Sequence, residues 1–154
     1  MKNNKGFSLV ELIIVVAIMA VLMGILAPQY IRYVEKTRIR TDDSIVSEID
    51  KACIATLAEE KYYKDAAAAG VGISIDNAGV ISVTGLPNTD ADFLKEINTT
   101  VYGTASAPSS TPFKSKAYTT STAAVGSVTY TFNTTLYTWS GTMTNSIDNS
   151  KFKP

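Results

Sequence analysis

An almost uninterrupted apolar run near the start of the sequence, residues 7–27, constrains the fold more than any other feature of this chain. The run holds 21 residues, and Glu11 is the single charged residue among them. A helix that crosses a bilayer needs about 20 mostly apolar residues, so this run is long enough to span a membrane. A lone carboxylate at the centre of such a helix costs about 2.5–3.5 kcal/mol on insertion scales. Its presence therefore indicates a function for Glu11.

The residues before the run, 1–6, form a short, polar and basic leader that ends at Gly6. Glycine has no side chain, so a protease could approach the backbone closely at this junction. This junction resembles the processing signature of the type IV prepilins and the related pseudopilins, on the sequence Lys5-Gly6-Phe7-Ser8-Leu9-Val10-Glu11-Leu12. The resemblance covers about the first 30 residues. Beyond them only the general layout agrees.

The resemblance implies a processing and assembly role for three residues. A prepilin peptidase would cut between Gly6 and Phe7 and methylate the new amino terminus of Phe7. Glu11 would then be the fifth residue of the mature chain, where the amine of an incoming subunit can meet it. A buried ion pair gains little net energy, so we expect this pair to select the register of the subunits. The alternative is a hydrated Glu11 that lies near the lipid headgroups.

The resemblance also predicts the location and the partners of the chain. It places the leader in the cytoplasm, with residues 7–28 in the cytoplasmic membrane until the chain joins a surface fibre. Its partners would be prepilin peptidase, the pilus assembly machinery and other copies of the chain. Basic residues do not predict this orientation, because those after the run (Arg32, Lys36, Arg38 and Arg40) outnumber those before it (Lys2 and Lys5). We interpret the later cluster as a solvated stretch that pairs with acidic groups of neighbouring subunits. Binding of lipid headgroups or of nucleic acid is the alternative.

Gly24 and Pro28 mark a weak point in the predicted helix. Proline lacks the N–H that would bond to the carbonyl four residues back, which belongs to Gly24. Glycine is itself a poor helix former. We expect residues 24–28 to bend or melt on assembly, and a simple proline kink is the alternative.

Residues 29–69 predict an amphipathic continuation of the helix. Its firmest apolar face, at helical spacing, consists of Ile45, Ile49, Ala52, Cys53 and Leu57. The last segment, residues 70–154, predicts a small β-rich head domain. The expected fold is α+β: a long N-terminal helix that packs by its second half against a small antiparallel sheet.

The head domain carries three local signals. Alternating apolar residues on either side of Asp76-Asn77-Ala78-Gly79 predict a hairpin. A helix start is predicted at Thr89, with Phe93, Leu94 and Ile97 on its buried side. Strict alternation at 128–132, repeated at Tyr137 and Trp139, predicts an antiparallel pair whose Val128, Tyr130 and Phe132 face the long helix. Residues 103–122, rich in serine, threonine, alanine and proline, predict an irregular loop.

The composition argues against several other functions. Fourteen basic residues balance fourteen acidic ones, so nucleic acid is not expected as a partner. Histidine is absent, and Cys53 is the only cysteine, which excludes an intrachain disulfide. We find no catalytic constellation and expect neither enzyme activity nor a cofactor. A helix cap explains Asn88, Asp90 and Asp92 better than a calcium site. The N-linked acceptor patterns at Asn98 and Asn133 are interpreted as chance matches.

Three functions remain open on this reading. The first is a structural subunit of a type IV pilus that polymerises through its N-terminal helix for adhesion, aggregation or twitching motility. The second is a type II secretion or competence pseudopilin. The third, of a different class, is a membrane-tethered binding module that never polymerises.

Overall fold

The structure is a computed structural model that describes residues 7–65, 70–86, 90–133, 138–145 and 147, with the side chains of 63–65 and 133 left undescribed. Its contacts divide the chain into two compact units, Met1–Glu35 and Lys36–Pro154. The first unit contains only helix in its described part, apart from residues 7 and 8. The second unit contains the sheet and the remaining helices.

Helix α1, Leu9–Leu57, confirms the long N-terminal helix and contributes residues to both units. It begins two residues later than the apolar run, where the carbonyl of Ser8 accepts the N–H of Glu11 at 3.1 Å. Of the predicted apolar face, Ile49, Cys53 and Leu57 are fully buried and Ala52 is 8% exposed. Ile45 is only partly buried, and Val46 occupies the core in its place.

Three shorter helices follow, α2 (Glu60–Asp65), α3 (Asp90–Tyr102) and α4 (Lys116–Thr119). Helix α3 confirms the predicted second helix, because Phe93 and Ile97 are fully buried and Leu94 packs against the core. The predicted cap, Thr89, lies outside the described residues. Helix α4 corrects the prediction that all of 103–122 is irregular. It is a single turn, too short for apolar periodicity to reveal, and Ser115 caps it by accepting the N–H of Tyr118.

The strands are β1 (Val71–Ile75), β2 (Ile81–Thr84), β3 (Gly126–Asn133), β4 (Thr138–Ser140) and β5 (Thr144–Asn145). They form one antiparallel sheet in the order β2-β1-β3-β4, and β5 also pairs with β3. The hairpin prediction is confirmed, since Ile75 pairs with Ile81 and Ile73 with Val83. The second antiparallel pair is confirmed where Phe132 opposes Trp139, whereas Tyr137 lies outside the described residues.

The hairpin turn shows why its residue types are needed. The carboxylate of Asp76 accepts the N–H groups of Ala78 at 2.9 Å and Val80 at 2.8 Å. Gly79 has a φ of +83°, a backbone conformation that residues other than glycine rarely adopt. The turn therefore fixes the register of β1 and β2.

The core lies between the second half of α1, the inner face of the sheet and helix α3. Tyr62, Phe93, Tyr118 and Tyr130 are the largest fully buried side chains. Tyr62 meets Phe93 edge to face, with ring centroids 5.2 Å apart. These contacts place the head domain against the amphipathic part of α1, as the sequence predicts.

Candidate assembly segment

The apolar segment, which we define as residues 7–28, is exposed at every position that the structure describes. Its large apolar side chains range from 44% exposed at Val15 to 80% exposed at Phe7. Soluble monomers rarely expose contiguous apolar surface beyond a few hundred Å², so a surface of this kind marks a membrane or protein interaction site. In the described part of the chain, α1 is the one helix long and apolar enough to cross a membrane.

Glu11 lies in the first turn of α1 and is exposed. Its carboxylate makes no hydrogen bond or ion pair with any residue that the structure describes. An acidic residue in the first turn is favoured by the helix dipole, but only by tenths of a kcal/mol up to about 1 kcal/mol. In an apolar environment the charge would therefore require a partner beyond the residues that the structure describes.

One face of the apolar segment forms a shallow groove of about 560 Å³ lined by Met19, Leu22, Met23, Leu26, Ala27 and Tyr30. These positions recur at spacings of three and four residues, which is the pattern of a helix face that packs against another helix. The groove offers flexible methionine side chains that adapt to irregular partners. The segment can therefore be covered by lipid or by a helix of another copy.

Helix α1 passes through both Gly24 and Pro28 without leaving the helical state. A Cβ added at Gly24 would meet no atom within 4 Å. No contact made by the described chain therefore requires glycine at this position. The missing Pro28 N–H leaves the Gly24 carbonyl without its usual helical donor.

Three carboxylates on the second half of α1 hold the head domain. Asp42 is fully buried and accepts the backbone N–H of Lys114 at 3.0 Å and of Ser115 at 2.8 Å. Asp43 accepts the phenolic hydroxyl of Tyr118 at 2.5 Å and the side-chain amide of Asn145 at 2.6 Å. These two neighbouring acids fix the segment before α4 and the strand β5 to one stretch of the helix.

Asp50, seven residues after Asp43, makes the third attachment. One of its oxygens accepts the hydroxyl of Tyr130 and the backbone N–H of Met143 at 3.2 Å. Two helical turns separate Asp43 from Asp50, so the two side chains project from nearby faces of α1. The three acids together connect α1 to three separate segments of the head domain.

The buried phenols are held in their neutral form by this arrangement. Burial raises the pKa of Tyr118 and Tyr130, and the hydrogen bonds to Asp43 and Asp50 raise it further. Burial also raises the pKa of Cys53 to about 12, and the nearby Asp50 adds to the effect. Cys53 is thus a protonated, buried thiol within the core.

The sequence patterns did not predict that Asp42, Asp43 and Asp50 attach the head domain to α1. A signal was nevertheless present for Asp42. It falls at helical spacing among the buried Ile39, Val46 and Ile49, and an acid in an apolar stripe must find hydrogen-bond donors. The identity of the donors could not be predicted, because Lys114 and Ser115 are more than seventy residues away.

The structure also bears on the other sites considered in the sequence: the calcium candidate, the N-linked acceptor pattern and the cleavage junction. The carboxylate of Asp92 forms an ion pair with Lys61, with 2.7 Å between the Lys61 Nζ and an Asp92 oxygen. Asn88 lies outside the described residues. No group of three metal-ligating side chains occurs among the described residues. Asn98 is only 7% exposed within α3, so its acceptor pattern is inaccessible in the fold. Gly6 lies outside the described residues, and the structure therefore does not describe the cleavage junction.

The comparison with known proteins points to the same N-terminal segment. The family described as the prokaryotic N-terminal methylation motif matches residues 1–27. Two fimbrial proteins of Pseudomonas aeruginosa are each 43% identical to the chain over 61 residues, which is 40% of this chain. The chain spans 40% of the length of these relatives in the match. No solved structure is significantly similar to the chain.

The methylation motif, the fimbrial relatives and the exposed apolar half of α1 agree with one another. The structure adds the small antiparallel sheet that packs on the second half of the same helix. The chain is therefore similar, over its first 27 residues, to proteins with the prokaryotic N-terminal methylation motif and, over 61 residues, to fimbrial proteins.

Proposed function

We propose that this protein is a structural subunit of a type IV pilus that polymerises through the apolar segment of α1. The observation that carries the proposal is the exposed apolar helix with one carboxylate, Glu11, that has no partner among the described residues. A membrane would cover the apolar surface but would leave this charge unpaired. A bundle of identical helices covers the same surface and also supplies amines.

Processing supplies the amine. Cleavage between Gly6 and Phe7 by prepilin peptidase creates a charged amino terminus four residues before Glu11, and methylation of Phe7 retains that charge. In the fibre, the amine of one copy meets Glu11 of a neighbouring copy. A subunit docked in the wrong register would bury both charges apart, which costs several kcal/mol per ion. The pair therefore selects one register for assembly.

The location follows from this cycle. The subunit waits in the cytoplasmic membrane, with its leader in the cytoplasm, and the assembly machinery moves it into an extracellular fibre. The role that we propose is structural and requires neither a catalytic centre nor a cofactor. The similarity to proteins described as fimbrial supports it. Gly24 and Pro28 supply a segment that lengthens or bends when the fibre forms. Nucleic acid has no part in this cycle.

Replacing the charge of Glu11 tests the proposal. We expect Glu11→Gln to be inserted and cleaved normally but to reduce surface fibres at least tenfold, because the incoming amine loses its partner. N-terminal mass analysis measures processing, and electron microscopy of sheared surface material measures fibres. Glu48→Gln, an exposed acid on α1 beyond the apolar segment, is the matched control.

Each alternative function gives a different result. Wild-type fibres that stay short and remain within the envelope would indicate a pseudopilin. A Glu11→Gln protein that keeps full function without any fibre would indicate a tethered, non-polymerising module. A working fibre whose subunits still begin at Met1 would overturn the processing step.

A further inference from the structure

A short belt of exposed side chains, Tyr30, Arg32 and Tyr33, follows the apolar run of α1. Tyr30 is 69% exposed, Tyr33 is 70% exposed, and Arg32 is exposed as well. The guanidinium of Arg32 makes no hydrogen bond or ion pair with any residue that the structure describes. The belt therefore presents an unpaired cation that is flanked in the sequence by two phenol rings.

The belt lies at the depth of lipid headgroups when the apolar run spans a membrane. The 21 residues of the run extend over about 32 Å at 1.5 Å per residue, and the hydrocarbon core of a bilayer is about 30 Å thick. The polar layer on each side adds about 5–8 Å. Tyr30 follows the end of the run by about 5 Å along the axis and Arg32 by about 8 Å. An inserted helix therefore places both side chains in the headgroup layer.

The acids that lie near the belt in the sequence are withdrawn from the surface. Residues 12–34 contain no acid. Glu35 is only 8% exposed, and Asp42 is fully buried. Asp43 is half-buried, and its carboxylate is bonded within the head domain. No exposed acid between residues 12 and 43 therefore offsets the positive charge of Arg32.

We propose that this belt binds the headgroups of anionic phospholipids and so anchors the helix at one membrane surface. The planar guanidinium of Arg32 matches the oxygens of a lipid phosphate in charge and in hydrogen-bond geometry. Tyrosine favours the membrane–water interface because its ring is apolar and its hydroxyl is polar. A neutral surface would suit the tyrosines but would supply no net negative charge for Arg32, so the charge selects an anionic surface. Lipid phosphate thus replaces the acidic groups of other copies as the expected partner of Arg32.

The anchor does not depend on polymerisation. A pilin precursor, a pseudopilin and a tethered module would each hold the helix at the same depth through these contacts. If the chain assembles as proposed above, the helix leaves the membrane, and the contact between Arg32 and lipid phosphate is broken at that step. The belt then retains each copy in the membrane until the assembly machinery removes it.

Lipid selectivity of the full chain tests the anchor. In vesicles of equal parts phosphatidylglycerol and phosphatidylcholine, electron spin resonance of spin-labelled lipids measures which lipid contacts the protein. We expect the wild type to prefer phosphatidylglycerol roughly two- to fivefold, Arg32→Gln to lose at least half of this preference, and Arg32→Lys to keep most of it. Lys51→Gln, which removes an exposed cation further along α1, is the matched control and should leave the preference unchanged. Lys2 and Lys5 of the leader are present in every chain compared, so their contribution is constant.

The opposite results are equally specific. Equal contact of the wild type with both lipids, or the same preference in Arg32→Gln as in the wild type, would overturn this inference. If Arg32→Gln keeps its lipid preference but forms fewer fibres, acidic groups of neighbouring copies are the partners instead. The vesicle measurement needs no fibre, so the two proposals fail separately. A wild type that selects phosphatidylglycerol through Arg32 but forms no fibre would overturn only the pilus assignment.

Discussion

The phenolic hydroxyl of Tyr130 donates a hydrogen bond to the carboxylate of Asp50 and so ties the third strand of the sheet to helix α1. The same carboxylate oxygen accepts the N–H of Met143, which leads into β5. Tyr130 is fully buried, so its hydroxyl cannot readily exchange this contact for water. One side-chain oxygen thus holds two segments of the head domain on the helix.

Removing either partner of this pair should destabilise the head domain unequally. Tyr130→Phe deletes one donor while Asp50 keeps the Met143 N–H, so we expect a loss of about 1–2 kcal/mol in the free energy of unfolding. Asp50→Ala leaves the Met143 N–H without its acceptor and leaves the Tyr130 hydroxyl only a long contact, 3.5 Å, to the backbone carbonyl of residue 50, so we expect a loss of about 2–4 kcal/mol. Urea unfolding of the full chain in detergent measures both. Equal losses for the two variants would contradict this account.

Asp42→Asn tests the buried attachment next to α4. The amide keeps one acceptor oxygen but turns an NH₂ group toward a second backbone N–H. We expect the free energy of unfolding to fall by about 2–3 kcal/mol, because a buried donor then faces another donor. Ser44→Ala, an exposed change two residues away, should stay within about 0.5 kcal/mol of the wild type. A similarly small effect for Asp42→Asn would show that these hydrogen bonds contribute little.

The raised pKa values predict loss of stability at alkaline pH. The pKa of Cys53 rises from 9.0 to about 12, and that of Tyr102 from 10.0 to about 12, in both cases mainly because of burial. The folded state therefore holds protons that the unfolded state releases above pH 9, and this stabilisation is lost as the pH rises towards 12. We expect the free energy of unfolding to decrease between pH 9 and 12 by up to about 1.4 kcal/mol per pH unit for each proton.

The variant Cys53→Ala isolates the thiol contribution to this pH dependence. The alanine chain loses packing and should be less stable at every pH. Its stability should nevertheless decline less steeply from pH 9 upward, since one titrating group is gone. Parallel pH profiles for the two chains would contradict the assignment of a raised pKa to Cys53.

Gly24→Ala tests the proposal that residues 24–28 bend or melt on assembly. The added methyl meets no atom of the chain within 4 Å, and alanine favours the helix by about 1 kcal/mol. We expect unchanged unfolding of the head domain but fibres that extend less under force, measured by single-fibre stretching. Ala27→Gly, three residues later, is the reciprocal control and should increase extension. Fibres of unchanged extensibility in both variants would exclude melting of residues 24–28.

Periodic patterns predicted those parts of the fold that burial alone determines. Spacings of three and four residues identified Ile49, Cys53 and Leu57, and strict alternation identified Tyr130. The candidate assembly segment was also visible, because a long apolar run with one charge needs no tertiary context to be recognised. Asp43 and Asp50 were not, since their donors lie more than seventy residues away and are chosen by the packing of the sheet. Alternation along β3 also predicted that Thr129 and Thr131 face outward, and both are exposed. Their partners on the neighbouring strands could not be predicted, because local alternation does not give the strand register.

Because the apolar segment is exposed, substitutions in it and substitutions on the sheet should have different effects. Its described large apolar side chains are exposed, so, if the chain polymerises as we propose, substitutions there would change the cohesion between copies more than the stability of each copy. Substitutions at exposed positions of the sheet, such as Thr129 and Thr131, would instead change the surface of each copy and leave the proposed helix contacts unchanged. If the chain forms a fibre as we propose, the strength of the fibre and the chemistry of its surface could therefore change independently.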